Sequence, residues 1–190
     1  VDVLPGQVVR VQGTVQEYFN LTELGAVIKA AVCGTDTASA ATVTMPVASL
    51  DEWEYREGML VTIPQTLTVT GNYTWGRYGE VDLSANGRLL IPTNVVEPGS
   101  PEQQALQDLN QRSRIQLDDG SNVQNPLPFP PYMGEDNTLR SGDAIPGLTG
   151  VLSYAFSTYE IHPVETVTFT RINERPLTPP EVGGSMRVAG

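Results

Sequence analysis

The residues with the clearest capacity for chemistry stand between positions 72 and 84, in NYTWGRYGEVDLS. Within six positions this stretch sets one arginine among three aromatic residues: Tyr73, Trp75, Arg77 and Tyr78. Aromatic faces stack on nucleic-acid bases for about 1–3 kcal/mol per base, and arginine attracts the phosphate backbone. The same pattern is typical of a hairpin whose rings fill a core, with Arg77 paired to Glu80 or Asp82. The spacing therefore leaves two alternatives, a stacking platform and a structural hairpin.

A second candidate for chemistry is the turn LDDGSN. Asp118, Asp119 and Asn122 supply oxygen atoms of the kind that bind calcium. An EF-hand loop would also need a Glu six residues after its Gly, which is absent here, and a plain turn is the alternative. These three residues are therefore only weak metal candidates, and we predict no metal site or cofactor in this chain.

Composition excludes most kinds of catalysis. The chain has one His, His162, and one Cys, Cys33, which argues against a zinc site and against a Ser-His or Cys-His pair. We therefore predict no catalytic residues. The 22 acidic and 11 basic residues give a net charge of −11, which opposes nonspecific attraction to phosphate backbones. No apolar run approaches the roughly 20 residues that span a bilayer, so we expect no membrane association.

Most of the chain has the pattern of β-strands. Segments rich in Val, Ile, Leu and Thr, bounded by Gly, Asn or Pro, predict strands at 7–15, 59–71, 78–84, 114–119, 147–154 and 166–172. Ser100, Pro101 and Glu102 are helix start signals and predict a helix over 100–114. A weaker helical pattern covers 49–58. Residues 121–141 carry four prolines and predict a long surface loop.

The order of these strands predicts an all-β fold. GTVQEYFNLTEL (13–24) matches GVLSYAFSTYEI (150–161) at Gly, Phe and Glu positions, which indicates a repeated strand–turn–strand unit. From Gly58 onward five strands follow, at 59–71, 78–84, 114–119, 145–154 and 158–163, and the first is overlong. We predict an OB-like five-stranded barrel with one short helix over 51–166, after an N-terminal partial β-unit. That unit, an OB-like part truncated at its N-terminus, covers 1–50, and a Pro-rich linker covers 167–190.

On such a barrel the loops joining strands one to two and four to five usually face the ligand. Arg112 and Arg114 lead into the third strand, and Tyr154 and Phe156 stand at the last turn. The predicted nucleic-acid-binding residues are therefore Tyr73, Trp75, Arg77, Tyr78, Arg112, Arg114, Tyr154 and Phe156. Tyr18 and Phe19, at the turn of the first repeat copy, are expected to pack instead of binding.

Several segments, in their order, resemble a known family. They are GQVVRVQGTVQEYFNLTEL, YREGMLVTIPQTLTVTGNYTWGRYGEVDLSANGRLLIPTNVVEPG, RIQLDDGSNVQNP, LRSGDAIPGLTGVLSYAFSTYEIHPV and NERPLTPPEVGGSMRVA. This series resembles the region ahead of the catalytic domain in large secreted bacterial nucleases. There an OB-like nucleic-acid-binding region precedes a domain of the endonuclease/exonuclease/phosphatase, DNase-I-like, superfamily. The resemblance covers essentially the whole chain and is most specific from Glu57 to Gly99.

The resemblance implies a role without catalysis. The family's catalytic domain begins with a strand like RVASFNVLNYF, whereas this sequence ends at MRVAG, so we expect that domain and its divalent metal to be missing here. The implied function is an extracellular accessory region that engages nucleic acid weakly, single-stranded or shared with the nuclease domain in cis. The alternative is a structural spacer that packs on the catalytic domain and positions it. A truncated β-edge also predicts a homodimer.

Overall fold

The structure is a computed structural model that describes residues 2–128, 130–134, 138–181, 183, 184, 186 and 188, and it is mostly β. Its strands are β1 (Gln7–Tyr18), β2 (Leu21–Thr35), β3 (Ala41–Thr42), β4 (Leu60–Ile63), β5 (Leu67–Gly71), β6 (Val81–Ala85), β7 (Arg114–Leu117), β8 (Ala144–Ile145), β9 (Leu148–Ala155) and β10 (Thr158–Pro163). Its helices are α1 (Asp51–Glu54), α2 (Trp75–Tyr78) and α3 (Pro101–Arg112), with a 3-10 turn at Pro92–Asn94. The all-β prediction is confirmed. None of the described helices is long and apolar enough to cross a membrane.

Eight strands form one sheet, in the order β3-β4-β9-β10-β7-β6-β5-β8. The segment from Leu60 to Gly71 enters this sheet twice, because β4 pairs with β9 while β5 pairs with β6. β7 and β10 run parallel, and the pairs around them are antiparallel. The curved sheet has eight strands where the sequence predicted five.

The core lies inside this sheet because alternate strand residues face it. Val81 and Leu83 of β6, Ile115 and Leu117 of β7, and Ile161 of β10 are fully or almost fully buried. Such alternation is the pattern of strands with one face on a core. The residues on the other face of β7 and β10 are therefore free to form a site.

Helix α3 begins where the sequence predicts. The Ser100 hydroxyl accepts a hydrogen bond from the Gln103 amide at 3.1 Å, and Pro101 occupies the first turn. At the other end Arg112 bonds Asp108 one turn earlier and donates to the Val47 carbonyl at 3.0 Å. This helix connects β6 to β7 and delivers the chain to the strand that carries the site.

Two predicted strands differ from the observed ones. The single strand over 59–71 is interrupted after Ile63, because Pro64 has no amide hydrogen to continue a ladder. The segment 166–172 is not a strand. It makes one bridge, from Thr170 to Ala144, because β8 offers only two residues for pairing.

The hairpin of β1 and β2 forms a two-stranded sheet of its own. Both of its faces are largely exposed, and Thr22 attaches it to the rest through a hydrogen bond from its amide to the Glu57 carboxylate. Tyr18 and Phe19 contact each other edge to face at 4.7 Å but are exposed, so the prediction that they pack into the fold is wrong. Among the described residues no third strand pairs with β1 or β2, which leaves these rings uncovered there.

Both copies of the sequence repeat form β-hairpins with the same two-residue turn. Phe19 and Asn20 have φ of 51° and 67°, and Phe156 and Ser157 have φ of 47° and 67°. Positive φ at both central residues is the requirement of a type I′ turn, which matches the twist of paired strands. The repeat is therefore a local structural unit that occurs once in the free hairpin and once in the main sheet.

Candidate functional site

A cleft of about 590 Å³ lies over the ends of β6, β7 and β10. It is lined by Tyr78, Glu80, Asp118, Gly120, Ser121, Asn122, Gln124, Ala155, Phe156, Glu160 and His162. The neighbours of its carboxylates along the strands, Leu117 and Ile161, point into the core. Asp118, Glu160 and His162 therefore lie on the opposite face of the sheet, which opens on the cleft.

Two carboxylates and an imidazole converge at the base of this cleft. His162 Nε2 lies 2.8 Å from Glu160 Oε1 and 3.8 Å from Asp118 Oδ1. One ligand atom from each of the three residues falls within 4.8 Å of the others. This arrangement follows from the parallel register, since Gln116 pairs with Glu160 and Leu117 pairs with Ile161.

The backbone after β7 fixes the position of Asp118. Its amide donates to the Ile161 carbonyl at 3.1 Å, which extends the pairing with β10 by one residue. Its Oδ1 accepts the Gly120 amide at 2.5 Å, and Asp119 Oδ1 accepts the Ser121 amide at 2.9 Å. The predicted turn at LDDGSN is thus held by its own carboxylates, and Asp118 is turned toward His162.

Burial and charge set the protonation of this cluster. Removal from water raises the pKa of Asp118 from 3.8 to about 6, against the lowering effect of the Gly120 amide. Nearby Glu160 contributes to this rise in the pKa of Asp118, and His162 opposes it. The hydrogen bond to Glu160 raises the pKa of His162, although burial acts in the other direction. The site therefore takes up protons, or another cation, more readily than isolated side chains would.

The structure brings two of the predicted aromatic residues into this cleft. Tyr78 ends helix α2, and Phe156 stands in the β9–β10 turn with 88% of its surface exposed. Arg77 lies beside them, its guanidinium 5.0 Å from the centre of the Tyr78 ring. Its Nη2 donates to Gln124 Oε1 at 2.9 Å. This arginine therefore pairs with Gln124, whereas the structural alternative predicted from the sequence paired it with Glu80 or Asp82.

Three other predicted residues lie away from the cleft. Trp75 is half-buried and packs against the core, with its Nε1 donating to the Pro131 carbonyl at 2.6 Å. Arg112 is held by its contacts with Asp108 and Val47. Tyr73 is 99% exposed. Helix α2 replaces the start of the strand predicted over 78–84, and this helical turn directs Trp75 inward.

Tyr154 and Arg114 line a separate, smaller pocket of about 270 Å³. Tyr154 packs edge to face on Tyr159 at 4.8 Å, and Arg114 lies 3.8 Å from Asp82. Asn122, the remaining weak metal candidate, lines the main cleft, whereas Asp119 is directed to Ser121. The predicted binding residues are thus divided among two pockets, the core and the open surface.

Two residues of the cluster were missing from the sequence-based candidates, Glu160 and His162. The signal that could have found them is their spacing, because residues two apart on a predicted strand share one face. Asp118 was nominated only as a calcium ligand of a turn. Its pairing with Glu160 and His162 depends on the contact of β7 with β10, which are distant in sequence.

A larger cleft of about 1220 Å³ lies between residues 132–134 and 166–177. Arg171, which lines it together with Arg175, is bonded to the buried carboxylate of Asp143 at 3.1 Å and braces that part of the chain. The cleft of about 590 Å³ is the candidate site, because it holds the carboxylate and imidazole cluster and the exposed Phe156.

These features define an all-β protein with an acidic, aromatic-rimmed cleft. The chain belongs to the family described as Domain of unknown function (DUF8508), whose family model matches residues 26–173. That range contains all the residues of the cleft. Comparison with curated proteins gave no match, and comparison with solved structures gave none.

Proposed function

We propose that this chain is a non-catalytic accessory region of an extracellular nuclease, and that it binds single-stranded nucleic acid weakly at the cleft. In this proposal the chain itself is not an enzyme. The parent protein is a metal-dependent nuclease of the endonuclease/exonuclease/phosphatase superfamily, and its catalytic domain is the partner in cis. The family resemblance of the sequence and the composition of the cleft are the two grounds for it.

The order of strands supports an OB-like barrel for residues 51–166. From β4 to β5 the sheet passes through β9, β10, β7 and β6, and β4 and β5 belong to one continuous segment of chain. A sheet in which two strands of one bent segment stand four strands apart curls toward closure, as a small barrel does. The OB fold is a five-stranded, partly open barrel of this kind.

The position of the cleft supports ligand binding. On an OB barrel, oligonucleotides bind beside the loop between strands one and two and the loop between strands four and five. Here those loops are residues 72–80 and the turn after Ala155. Tyr78 and Glu80 from the first loop line the same cleft as Phe156 from the second.

The observation that carries the proposal is the exposed ring of Phe156 at the mouth of the cleft. This residue is 88% exposed and has φ of 47°, a region that costs a bulky residue energy and that Asn or Gly would occupy more easily. Phe19 has the same backbone strain in the free hairpin, but of the two only Phe156 lines the cleft. An exposed ring at the mouth of a cleft can stack on a base for about 1–3 kcal/mol.

The charge of the cleft limits the affinity. Glu80, Asp118 and Glu160 line it, and the whole chain has a net charge of −11. Phosphate groups are repelled by such a surface, so binding depends on stacking and on cations that screen the carboxylates. We therefore expect affinities in the micromolar range or weaker.

The alternative is a structural spacer that packs on the nuclease domain and positions it without binding nucleic acid. The observation in its favour is that Trp75 and Arg112 make internal contacts, which removes two of the predicted binding residues from the surface. A spacer would associate with the nuclease domain or stabilise it, and would leave oligonucleotides unbound.

The test is fluorescence anisotropy of a labelled single-stranded oligonucleotide titrated with the whole chain. Phe156→Ala removes the ring from the cleft, and we expect a loss of affinity of at least about fivefold, the equivalent of roughly 1 kcal/mol of stacking. Phe19→Ala is the matched control, because Phe19 is 82% exposed and holds the same turn position in the free hairpin.

Equal affinities of wild type and the Phe156→Ala variant would refute a role for the cleft. Absence of binding by wild type, together with measurable association with the nuclease domain, would establish the spacer instead.

A further inference from the structure

Asp118, Glu160 and His162 form a compact set of donor atoms that come from two strands. Asp118 follows β7, and Glu160 and His162 stand two residues apart on β10. Their ligand atoms lie within 4.8 Å of one another at the base of a cleft that is open to solvent. Because the parallel pair β7–β10 fixes the backbone, the donors are brought together before any ligand arrives.

The two carboxylates are buried but incompletely satisfied. Their side chains are only 10% and 8% exposed for Asp118 and Glu160. Each uses one oxygen, Asp118 Oδ1 toward the Gly120 amide and Glu160 Oε1 toward His162. The second oxygen of each accepts no hydrogen bond from the described residues. Among the described residues, His162 is the one cationic side chain within ion-pair distance of either carboxylate, and the free oxygens are not themselves buried, so they are open to a ligand in the cleft.

We propose that Asp118, Glu160 and His162 bind one divalent transition-metal ion of the Zn²⁺ or Mn²⁺ type. Imidazole nitrogen suits zinc and its neighbours, and carboxylate oxygen also suits manganese, so the donor set favours these ions over Ca²⁺ and Mg²⁺. Three protein ligands leave further positions for water from the cleft, as in open metal sites.

The distances agree with this assignment. With metal–ligand bonds of about 2.1 Å, adjacent ligand atoms in tetrahedral or octahedral sites lie about 3.0–3.4 Å apart. His162 Nε2 is 2.8 Å from Glu160 Oε1 and 3.8 Å from Asp118 Oδ1, values that bracket this range. All three ligand atoms lie within 4.8 Å of one another, so they must draw together when they bind the ion.

Metal binding changes the cleft in two ways. The ion takes the place of the hydrogen between His162 Nε2 and Glu160 Oε1, because a ligand nitrogen must be unprotonated. It also supplies positive charge next to Phe156, where a phosphate oxygen can take an open position. The metal site stands independently of the proposed function, and only its use to hold phosphate rests on that function.

Isothermal titration of the EDTA-treated, desalted whole chain with ZnCl₂ and with MnCl₂ tests the site without nucleic acid. We expect one ion per chain. Glu160→Gln and His162→Gln should each weaken binding by at least about tenfold, since removing even an outer-shell partner of a metal ligand costs 10–100-fold. Glu80→Gln is the matched control, because it removes a negative charge from the same cleft without removing a proposed ligand. It should leave the affinity within about twofold.

A second readout identifies the ligand nitrogen. Electron spin-echo spectra of the Mn²⁺-loaded chain should contain ¹⁴N modulation, and this signal should disappear in His162→Gln. Glu80→Gln weakening the affinity as much as Glu160→Gln would overturn the site in favour of diffuse attraction by acidic groups. Absence of ¹⁴N modulation, or of saturable binding, would overturn it as well. Neither result would affect the comparison of Phe156 with Phe19, which tests nucleic-acid binding separately in EDTA.

Discussion

Substitution of Asp118 by Asn should stabilise the metal-free protein at neutral pH. The asparagine amide has nearly the same shape, and its oxygen can still accept the hydrogen bond that the Gly120 amide donates to Asp118. What the change removes is a buried negative charge beside Glu160. Removing a charge from a poorly solvated place eliminates its desolvation cost while the packing is kept.

The size and sign of the effect follow from the pKa of Asp118. Burial raises this pKa from 3.8 to about 6. Because one pKa unit corresponds to about 1.4 kcal/mol, the gain in stability from Asp118→Asn has an upper limit of about 3 kcal/mol. The folded state binds more protons than the unfolded state between pH of about 4 and 6, so wild-type stability falls as the pH rises through this window. The advantage of Asp118→Asn is therefore complete above pH of about 6 and vanishes below about 4.

Urea denaturation in EDTA at several pH values measures this difference. At neutral pH we expect the free energy of unfolding of Asp118→Asn to exceed that of wild type by about 1–3 kcal/mol. In a chain of this size each kcal/mol corresponds to roughly 2–4 °C of melting temperature. Asp119→Asn, at the exposed neighbouring position, is the control and should change little. Saturating Zn²⁺ should reverse the order, because the variant loses a metal ligand. A variant less stable than wild type in EDTA at pH 7.5, or a difference independent of pH, would refute the reasoning.

Three further predictions concern helix α2 with its C-terminal glycine, and the cluster at the base of the cleft. Gly79→Ala should destabilise the fold by about 1–3 kcal/mol in urea denaturation, because Gly79 has φ of 84° and an added Cβ would lie 2.8 Å from Pro131. Gly76→Ala is its control: Gly76 has open space around it and no positive φ, so this variant should be neutral or slightly stabilising. Trp75→Phe keeps an aromatic ring but loses both the 2.6 Å hydrogen bond to the Pro131 carbonyl and part of the packing volume, so the free energy of unfolding in urea should fall by at least about 1 kcal/mol. An unchanged midpoint would contradict the contact. His162→Gln should lower the stability of the metal-free protein more at pH 5.5 than at pH 8.5. The raised pKa of His162 stabilises the fold fully below the unfolded pKa of about 6.5, and this stabilisation is lost as the pH rises through the folded pKa. An equal loss of stability at both pH values would contradict this.

Much of the local structure could be predicted from the sequence, because its signals are local. The capping Ser100 and Pro101 place the start of α3 correctly, and the period-two pattern identifies β7 and β10 within two residues. The error at 166–172 arises because the formation of a strand there depends on a pairing partner elsewhere in the chain. The segment 166–172 has a strand pattern but meets only the two-residue β8, so it pairs at Thr170 alone.

The site was only partly predictable for the same reason. Tyr78, Phe156 and Asp118 were nominated from their types and neighbours, and they line one cleft. Glu160 and His162 were not, because nothing near them in sequence marks them as partners of Asp118. Their meeting depends on the parallel contact between β7 and β10, which are more than forty residues apart.

The two copies of the repeat separate what the sequence by itself determines from what the tertiary structure decides. The sequence determines the hairpin, its two-residue turn and an exposed Phe at Phe19 and Phe156, since turn geometry and strand alternation are local. Glu23 and Glu160 hold the same place in the two copies. Glu23 stays at the surface, where it accepts a hydrogen bond from Gln16, because no other strand that the structure describes pairs with its hairpin. Glu160 is buried against His162, because β7 and β9 flank its strand, and only that enclosure turns a surface carboxylate into part of a site.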